Sequence, residues 1–257
     1  MPKAPSIRWV STQPNIPILL TRPIAQSRSF AQSLMAQGIP KDWIHVAPVI
    51  EIEPLKPHFD DQDNRPILVT SANAMFFENA QSFLSGKDII CVGEKTAEAA
   101  SSLGGTPIWI GQNVKSARAY LETREAGPML YLRGQHITYD FSAENADIES
   151  CITYKQSAQK MPDAIKRNML GGTAHLLPLF SLRTAQLVSE ELGGFGSHPV
   201  IAISESVAAF CVSKNASHVS ISKIANGQGM IDEILKFDFD DPNEIGRNDE
   251  QLNTERF

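Results

Sequence analysis

Small and polar residues follow short apolar runs at five places along this 257-residue sequence. Each run is typical of a buried strand, and each is followed by a helical pattern. The residues at the five turns are Thr21, Ser71, Gly93, Ser181 and Ser204. Taken singly, such a residue is most simply a helix N-cap. Because helix N-termini also present free N–H groups to anions, the turns together predict a site for a ligand with several carboxylates or phosphates.

Two arginines and a tyrosine are further candidates for chemistry. Arg22 and Arg133 each follow a predicted strand, where a guanidinium can pair with a carboxylate. A solvated surface position is the alternative for both arginines. Tyr154 can present its phenol to a ligand as a proton donor, or it can be a strand residue with a solvated hydroxyl.

The motifs of common cofactor-binding and nucleophilic enzymes are absent from the sequence. G-x-G-x-x-G, G-x-x-x-x-G-K-[ST], G-x-S-x-G and H-E-x-x-H do not occur. Cys91, Cys151 and Cys211 lie far apart, so we expect buried free thiols, as in a reducing cytoplasm. The six histidines lack metal-ligand spacing. We therefore expect no metal and no cofactor.

Charge is unevenly distributed along the chain. The formal net charge is −6, and Asp238–Phe257 alone holds seven acidic residues and two arginines. The remainder is nearly neutral, which argues against a nucleic-acid-binding face, and we expect the acidic tail to be disordered. No apolar run approaches the roughly 18 residues of a membrane span, and residues 1–15 lack the apolar core of a secretory signal. These features predict a cytoplasmic protein that binds neither membranes nor nucleic acid.

The elements that must position these residues alternate between strand and helix. One helix is predicted from Pro23 to Gln37, and in another Phe76, Ala80 and Phe83 share a face. Such alternation predicts parallel sheets with right-handed crossovers. Connectors near Val46–Pro54 and Ser157–Pro162 divide the turns into two groups, which predicts two lobes facing one cleft. Strands are predicted at Ile16–Leu20, Trp43–Ile52, Ile67–Val69, Ile89–Val92, Thr106–Ile110, Pro128–Leu132, Glu149–Gln156, Leu176–Phe180, Val200–Ile203 and Val219–Ser222.

Several segments, taken in order, resemble those of uroporphyrinogen-III synthases. No single segment is specific, but their order is, with V-G-x-x-T-A following T-S-x-N-A. The resemblance extends over about Ile16–Leu235. The matching segments are ILLTRP (Ile18–Pro23), ILVTSANA (Ile67–Ala74), ICVGEKTA (Ile90–Ala97), LYLRG (Leu130–Gly134), ITYKQ (Ile152–Gln156), LFS (Leu179–Ser181) and AISESVA (Ala202–Ala208).

The resemblance implies an α/β fold of two flavodoxin-like lobes, each a parallel sheet flanked by helices, joined by a two-stranded linker. The first lobe is then discontinuous and consists of residues 1–47 and 159–237. The second lobe comprises residues 53–151, and residues 48–52 and 152–158 form the linker strands. Residues 238–257 form the acidic tail.

The same resemblance implies a lyase that cyclises hydroxymethylbilane to uroporphyrinogen III in haem and sirohaem biosynthesis. Ring D is inverted and water is lost, through a spiro intermediate. Such an enzyme mainly folds and holds a substrate that supplies its own reactivity. Tyr154 matches the family tyrosine proposed to help the hydroxyl leave, and Ser71, Asn73 and Thr96 match polar residues of the family motifs. With the turns and arginines included, the expected substrate-binding residues are Thr21, Arg22, Ser71, Asn73, Gly93, Thr96, Arg133, Gly134, Ser181, Ser204 and Ser206.

The expected partner is a small molecule, a linear tetrapyrrole with eight carboxylates. We also expect a monomer that receives this substrate by transient handover from hydroxymethylbilane synthase. Two other functions remain open, a two-lobed ligand-binding or sensor protein and an inactive homologue of the synthase. The sequence shows no export signal and no added DNA-binding helix pair, which argues against a sensor.

Overall fold

The structure is a computed structural model that describes residues 16–60, 63–123, 127–137 and 139–239. In these ranges no helix is long and apolar enough to cross a membrane. The strands are β1 (Ile18–Leu20), β2 (Ile44–Val46), β3 (Ile50–Pro54), β4 (Ile67–Val69), β5 (Asp88–Val92), β6 (Thr106–Gly111), β7 (Met129–Gly134), β8 (Ile148–Ala158), β9 (Leu177–Leu179), β10 (Val200–Ala202) and β11 (Val219–Ile221). The α-helices are α1 (Ile24–Ala36), α2 (Ala80–Leu84), α3 (Glu94–Ser102), α4 (Val114–Thr123), α5 (Phe141–Glu144), α6 (Asp163–Leu170), α7 (Leu182–Leu192), α8 (Glu205–Ser213) and α9 (Gly227–Ile234), with 3-10 helices at Lys41–Trp43 and Ala72–Met75.

The chain divides into two compact units. The first unit contains the residues up to Glu51 and those from Ala158 onward, and the second unit is Ile52–Ser157. Each unit contains parallel strands with helices between them, so the fold is mixed α/β, as the sequence predicts.

In the first unit the strand order is β2-β1-β9-β10-β11. β1 pairs in parallel with β2, and β10 pairs in parallel with β9 and β11. A bridge between Ile18 and Leu176, with a 2.9 Å hydrogen bond from the Leu19 N–H to the Leu176 carbonyl, joins β1 to β9. All three residues of β1 are buried, as expected of a central strand covered on both faces.

In the second unit the strand order is β3-β8-β7-β4-β5-β6. The five strands from β8 to β6 are parallel. Residues of β4 alternate between two hydrophobic clusters, with Ile67 and Val69 in one cluster and Leu68 in the other. Because the two clusters contain residues of different helices, such as Leu84 and Leu121, both faces of this sheet are covered.

β3 is the antiparallel strand at the edge of this sheet. The Leu55 N–H donates to the Thr153 carbonyl (2.8 Å), and the Gln159 N–H donates to the Val49 carbonyl (2.9 Å). β3 and β8 are also the strands on which the chain passes from one unit to the other. The predicted strand Trp43–Ile52 is therefore two strands, β2 and β3, separated around Pro48, which lacks the N–H needed for pairing.

The prediction of one continuous helix through Phe76, Ala80 and Phe83 is wrong. A 3-10 helix ends at Met75 and α2 begins at Ala80. Between them Asn79 adopts a left-handed conformation (φ 64°), which cannot continue a right-handed helix. Phe76 is then 52% exposed, whereas Phe83 stacks on Phe59 with ring centroids 3.9 Å apart.

The packed part of the first unit extends into the segment predicted to be a disordered tail. Phe239 is 2% exposed, and its ring centroid lies 5.4 Å from that of Trp43. Phe237 lies edge-on to Phe239 with centroids 5.0 Å apart. The tail prediction is therefore wrong for Phe239, and its part beyond residue 239 lies outside the described residues.

Candidate active site

The predicted residues of the first unit lie at the C-terminal edge of its sheet. Thr21 and Arg22 directly follow β1, Ser181 follows β9, and Ser204 and Ser206 follow β10. The chain turns from β1 through α1 to β2, but from β9 through α7 to β10, so the winding reverses between β1 and β9. Open α/β sheets bind ligands at such a reversal, outside the carboxyl ends of the strands.

Arg22 lies half-buried at this reversal. Its guanidinium carbon is 4.0 Å from the centroid of the Phe180 ring, which follows the neighbouring strand β9. Burial lowers the pKa of Arg22 to about 10, and no carboxylate pairs with it among the described residues. The Oγ1 atom of Thr21 is also buried without a hydrogen-bond partner among the described residues. This edge thus holds a cation and a hydroxyl with unused bonding capacity.

The three serines of this edge differ in what their hydroxyls do. Ser181 caps α7, because its Oγ accepts a 3.1 Å hydrogen bond from the Thr184 N–H. Ser204 occupies the N-cap position of α8 but makes no cap bond, and its Oγ lies 3.0 Å from that of Ser206. The N-cap interpretation therefore applies to Ser181, while the hydroxyls of Ser204 and Ser206 hydrogen-bond to each other and leave the N-terminus of α8 without a side-chain cap.

The predicted residues of the second unit lie at the C-terminal edge of its sheet. Ser71 and Asn73 follow β4, and the Ser71 side chain makes no cap bond. The winding of this sheet reverses between β4 and β7, so Ser71 and Gly134 stand at the reversal. The Thr153 hydroxyl donates a 2.7 Å hydrogen bond to the Ala74 carbonyl and so ties the loop after β4 to β8.

Gly93 and Thr96 form the turn from β5 into α3. Gly93 has φ 88°, a conformation that L side chains rarely adopt, and its N–H donates to the Gly111 carbonyl at 2.7 Å. Thr96 lies in the first turn of α3 and is 5% exposed. The turn is therefore at the predicted edge, with Thr96 packed into it rather than projecting from it.

Arg133, Gly134 and Tyr154 meet on the paired strands β7 and β8. Gly134 stands opposite Tyr154, and a Cβ added to Gly134 would lie 2.5 Å from the Tyr154 Cζ. Tyr154 is 5% exposed, and no hydrogen bond holds its hydroxyl within the described ranges. Arg133 donates to the Gly134 carbonyl (3.1 Å) and lies 3.8 Å from Asp140, while its Nε is buried without a partner in the described part of the chain.

The sequence-based prediction of the site omits three polar residues of this edge, Thr70, Tyr131 and Asp140. Tyr131 is 1% exposed and its hydroxyl lies 3.2 Å from the Thr70 Oγ1, joining the ends of β7 and β4. Burial raises the pKa of Tyr131, so this phenol stays protonated near neutral pH. Asp140 caps α5, and a hydrogen bond from Ser142 lowers its pKa, with a smaller effect of Arg133. Two-residue alternation puts Tyr131 and Arg133 on one face of β7, but no sequence signal identifies Asp140.

The pKa values of the three cysteines argue against a reactive thiol. All three are free, and burial raises the pKa of Cys91 to about 11 and that of Cys211 to about 12. A protonated thiol is a poor nucleophile and a poor metal ligand. No group of three or more His, Cys, Asp or Glu residues could hold a metal ion in the part of the chain that the structure describes.

Comparisons with known proteins give a matching family model and similar solved structures. A family model described as uroporphyrinogen-III synthase HemD matches residues 43–232. The structure of uroporphyrinogen-III synthetase from Helicobacter pylori has a TM-score of 0.56 and 13% identity, over 76% of this chain and 93% of that one. A mutant uroporphyrinogen III synthase from Thermus thermophilus has a TM-score of 0.48 and 12% identity, over 86% and 97% of the two chains. A comparison with curated protein sequences gives no match.

The family model spans well over half of the chain, and its range includes all but Thr21 and Arg22 of the residues predicted to form the site. The Helicobacter pylori structure supports the same fold independently of sequence, since so low an identity reflects architecture alone. The chain belongs to the uroporphyrinogen-III synthase family.

Proposed function

We propose that this chain is a uroporphyrinogen-III synthase, a lyase that cyclises hydroxymethylbilane to uroporphyrinogen III with inversion of ring D and loss of water. The observation that carries the proposal is the family match over residues 43–232. The chemistry of the two sheet edges agrees with it, because a polycarboxylate needs cations and N–H donors rather than a nucleophile.

We propose that Arg22 and Arg133 each pair with a carboxylate of the substrate. Both guanidiniums lie at a reversal of their sheet, and neither has a short ion pair in the described ranges, since Arg133 is 3.8 Å from Asp140. A half-buried guanidinium whose charge is unpaired or only loosely paired gains from an incoming carboxylate, because desolvation weakens competition from water. Further polar groups come from the Ser71 hydroxyl, the hydrogen-bonded pair Ser204 and Ser206, and the main-chain N–H groups beside Gly93. Thr21, Asn73, Thr96, Gly134 and Ser181 complete the proposed substrate-binding set.

We propose that Tyr154 donates its phenolic proton to the departing hydroxyl of the substrate. The C–O bond breaks as the pyrrole nitrogen supplies electrons, water leaves, and an electron-deficient azafulvene remains. The substituted α-carbon of ring D attacks this electron-deficient carbon to give the spiro intermediate, which fragments and recloses. The proton lost on reclosure returns to the phenolate, so no cofactor is consumed. The position of the Tyr154 ring against Gly134 at the end of β7, with no hydrogen-bond partner for its hydroxyl among the described residues, supports this role.

We propose an architecture of two flavodoxin-like lobes, residues 1–47 with 159–237 and residues 53–151, joined by linker strands 48–52 and 152–158. The antiparallel pairing of β3 with β8 and the passage between units at Glu51 and Ala158 support this proposal. The first unit has the flavodoxin-like order, in which the first strand lies between the second and third. The second unit has the related order in which its first strand, β4, lies between β5 and β7.

We further propose that the protein acts in the cytoplasm as a monomer and receives its unstable substrate by transient handover from hydroxymethylbilane synthase. Two of the three cysteines, Cys91 and Cys211, are buried thiols, which suits a reducing compartment. Sedimentation of the purified chain with and without hydroxymethylbilane synthase tests the monomer and the handover.

A coupled assay tests the reaction itself. Hydroxymethylbilane is generated in the cuvette by hydroxymethylbilane synthase, and the products are oxidised and separated by isomer. We expect uroporphyrin III in excess over the isomer I that forms spontaneously. Isomer I alone, from protein shown to be folded by circular dichroism, contradicts the synthase and leaves a ligand-binding protein or an inactive homologue.

A further inference from the structure

Four large apolar side chains of the first unit are exposed at the C-terminal edge of its sheet. Ile24 is the first residue of α1 and Leu182 the first residue of α7, and they are 46% and 41% exposed. Ile221 ends β11 and Ile224 lies in the following loop, and they are 42% and 56% exposed. We call these four residues the apolar rim.

Two residues of the rim, Ile24 and Leu182, lie at the reversal between β1 and β9, and the other two lie at the end of β11, two strands beyond β9. Helices of a parallel α/β sheet run antiparallel to the strands, so the first residues of α1 and α7 lie at the carboxyl ends of β1 and β9. Ile24 comes two residues after Arg22, and Leu182 comes two residues after Phe180, the ring on which Arg22 stacks. Apolar residues thus follow Arg22 and its stacking partner Phe180 at the ends of the adjacent strands β1 and β9.

Single exposed apolar residues are ordinary on a protein surface, and the first unit offers examples for comparison. Met35, Leu170 and Val212 are 37%, 59% and 59% exposed. They lie in the last turns of α1, α6 and α8, at the opposite edge of the sheet. Ile24 and Leu182 differ from them because they lie beside a half-buried arginine that lacks a described counter-ion and beside the Thr21 hydroxyl, which has no partner among the described residues.

The charged residues around the rim are mostly cationic. Arg22 follows β1 and Lys223 follows β11, whereas Glu205 is the first residue of α8. A ligand that fits this edge therefore combines apolar faces with negative charge. A linear tetrapyrrole has this combination, since its pyrrole rings are flat and apolar and its side chains end in carboxylates.

We propose that the rim is the subsite that contacts the faces of the pyrrole rings of the tetrapyrrole substrate, with Ile24 and Leu182 on either side of the carboxylate held by Arg22. The inference rests on the proposed function for the identity of the ligand. It adds specificity-determining apolar contacts to a site otherwise described by its polar groups. Ile221 and Ile224 extend the rim along β11.

Serine substitutions test the rim, because serine keeps helix starts intact and removes the apolar surface. Ile24→Ser and Leu182→Ser are each compared with the wild type in the coupled assay. We expect each to raise KM about fivefold, as the loss of a partly buried aliphatic contact predicts, with kcat within twofold. A parallel titration with uroporphyrin III, the oxidised product, followed by tryptophan fluorescence, is expected to show the same rise in Kd.

Matched controls are Met35→Ser and Val212→Ser, which remove equally exposed apolar side chains at the opposite edge of the same unit. Both are expected to keep the wild-type KM and Kd, and thermal melts of all four variants check folding. The proposal is overturned if Ile24→Ser and Leu182→Ser have the same KM and Kd as the two controls, whether all four variants keep the wild-type values or all four raise them equally. If the wild type forms no isomer III, the proposed function fails, whereas the Kd values still decide whether the rim binds tetrapyrroles.

Discussion

At the scale of single residues, the ring of Tyr154 occupies space that any side chain at Gly134 would fill. The two residues stand opposite each other on β7 and β8, just after a register shift between Arg133 and Gly134. The sequence predicts both as site residues, but not their contact, because pairing between strands and a local shift of register leave no trace in a single sequence.

Tyr154→Phe keeps the ring and removes the hydroxyl. If the phenol is the proton donor, kcat falls by roughly 10²-fold, at the lower end of what general acid catalysis contributes, while the melting temperature is unchanged. The measurement is the initial rate of isomer III formation at saturating substrate. Tyr120→Phe is the control, since Tyr120 stacks on Trp109 elsewhere in the second unit. Unchanged turnover in Tyr154→Phe removes this residue from the mechanism.

Gly134→Ala tests the position of the phenol rather than its presence. The added Cβ meets the Tyr154 Cζ at 2.5 Å, so the ring must move, and we expect a fall in kcat similar to that of Tyr154→Phe. Gly127→Ala is the control, because a Cβ there meets nothing within 4 Å. Wild-type turnover in Gly134→Ala shows that the ring relocates without consequence.

At the scale of the elements, the start of each helix decides whether a turn residue is structural or available to a ligand. The sequence predicts four of the five strand–turn–helix units correctly, because apolar runs and small residues are local signals, and the exception is the helix after β4. It cannot separate Ser181, which caps α7, from Ser204, which occupies the same position of α8 without a cap bond. That difference depends on side-chain rotamers, which neighbouring elements set.

Ser181→Ala and Ser204→Ala are therefore expected to differ. Loss of the Ser181 cap lowers the free energy of unfolding by about 1 kcal/mol, whereas Ser204→Ala leaves it nearly unchanged. Urea denaturation gives both values. Ser204→Ala is expected instead to raise KM for hydroxymethylbilane, since its hydroxyl is proposed to bind substrate. Equal destabilisation by the two variants contradicts the distinction drawn from the cap bonds.

The helix predicted over Phe76, Ala80 and Phe83 shows where local signals fail. The spacing is helical, but Asn79 is left-handed and Phe83 stacks on Phe59. Packing against a residue far along the chain overrides the periodicity. The same reason explains why Phe239, in an acidic and polar stretch, is buried against Trp43.

At the scale of the whole molecule, stability depends on a cluster of three histidines in the first unit. His175 lies between His45 and His198, with ring centroids 5.6 Å and 6.3 Å away. The main-chain N–H of His175 donates to the His198 Nδ1 (3.2 Å), and the ring Nδ1 of His175 lies 3.0 Å from the Thr173 carbonyl. Burial lowers the pKa of His175, and it lowers the pKa of His198 from 6.5 to about 4.

Acid is therefore expected to destabilise the protein through these histidines. As the pH falls, a histidine in the unfolded chain takes up a proton before the buried His198 does. The contribution of His198 to the free energy of unfolding is therefore fully present above about pH 6.5 and is lost as the pH falls towards 4. For His198 alone the loss is roughly 3 kcal/mol. Urea denaturation at several pH values measures it. His198→Asn, which retains an acceptor for the His175 N–H, is expected to flatten the pH dependence, and exposed His136→Asn is not. An unchanged slope in His198→Asn contradicts this account.

The order of the segments along the chain, more than any one motif, allows the family to be recognised from the sequence. What the sequence leaves undetermined is long-range: which strands are neighbours, which hydroxyls are free and which aromatic rings meet. These depend on contacts between residues far apart in the chain, whose pairing no local pattern encodes.

The assembly of the first unit from both ends of the chain has a consequence for its biosynthesis. β1 leaves the ribosome early, but β9, its neighbour in the sheet, follows only after the whole second unit has been made. At roughly 5–20 residues per second, this delay is on the order of ten to thirty seconds. The second unit, which is continuous in sequence, is complete before β9 emerges. The nascent chain therefore carries β1, α1 and β2 with their apolar faces uncovered throughout that time, as a substrate for chaperones.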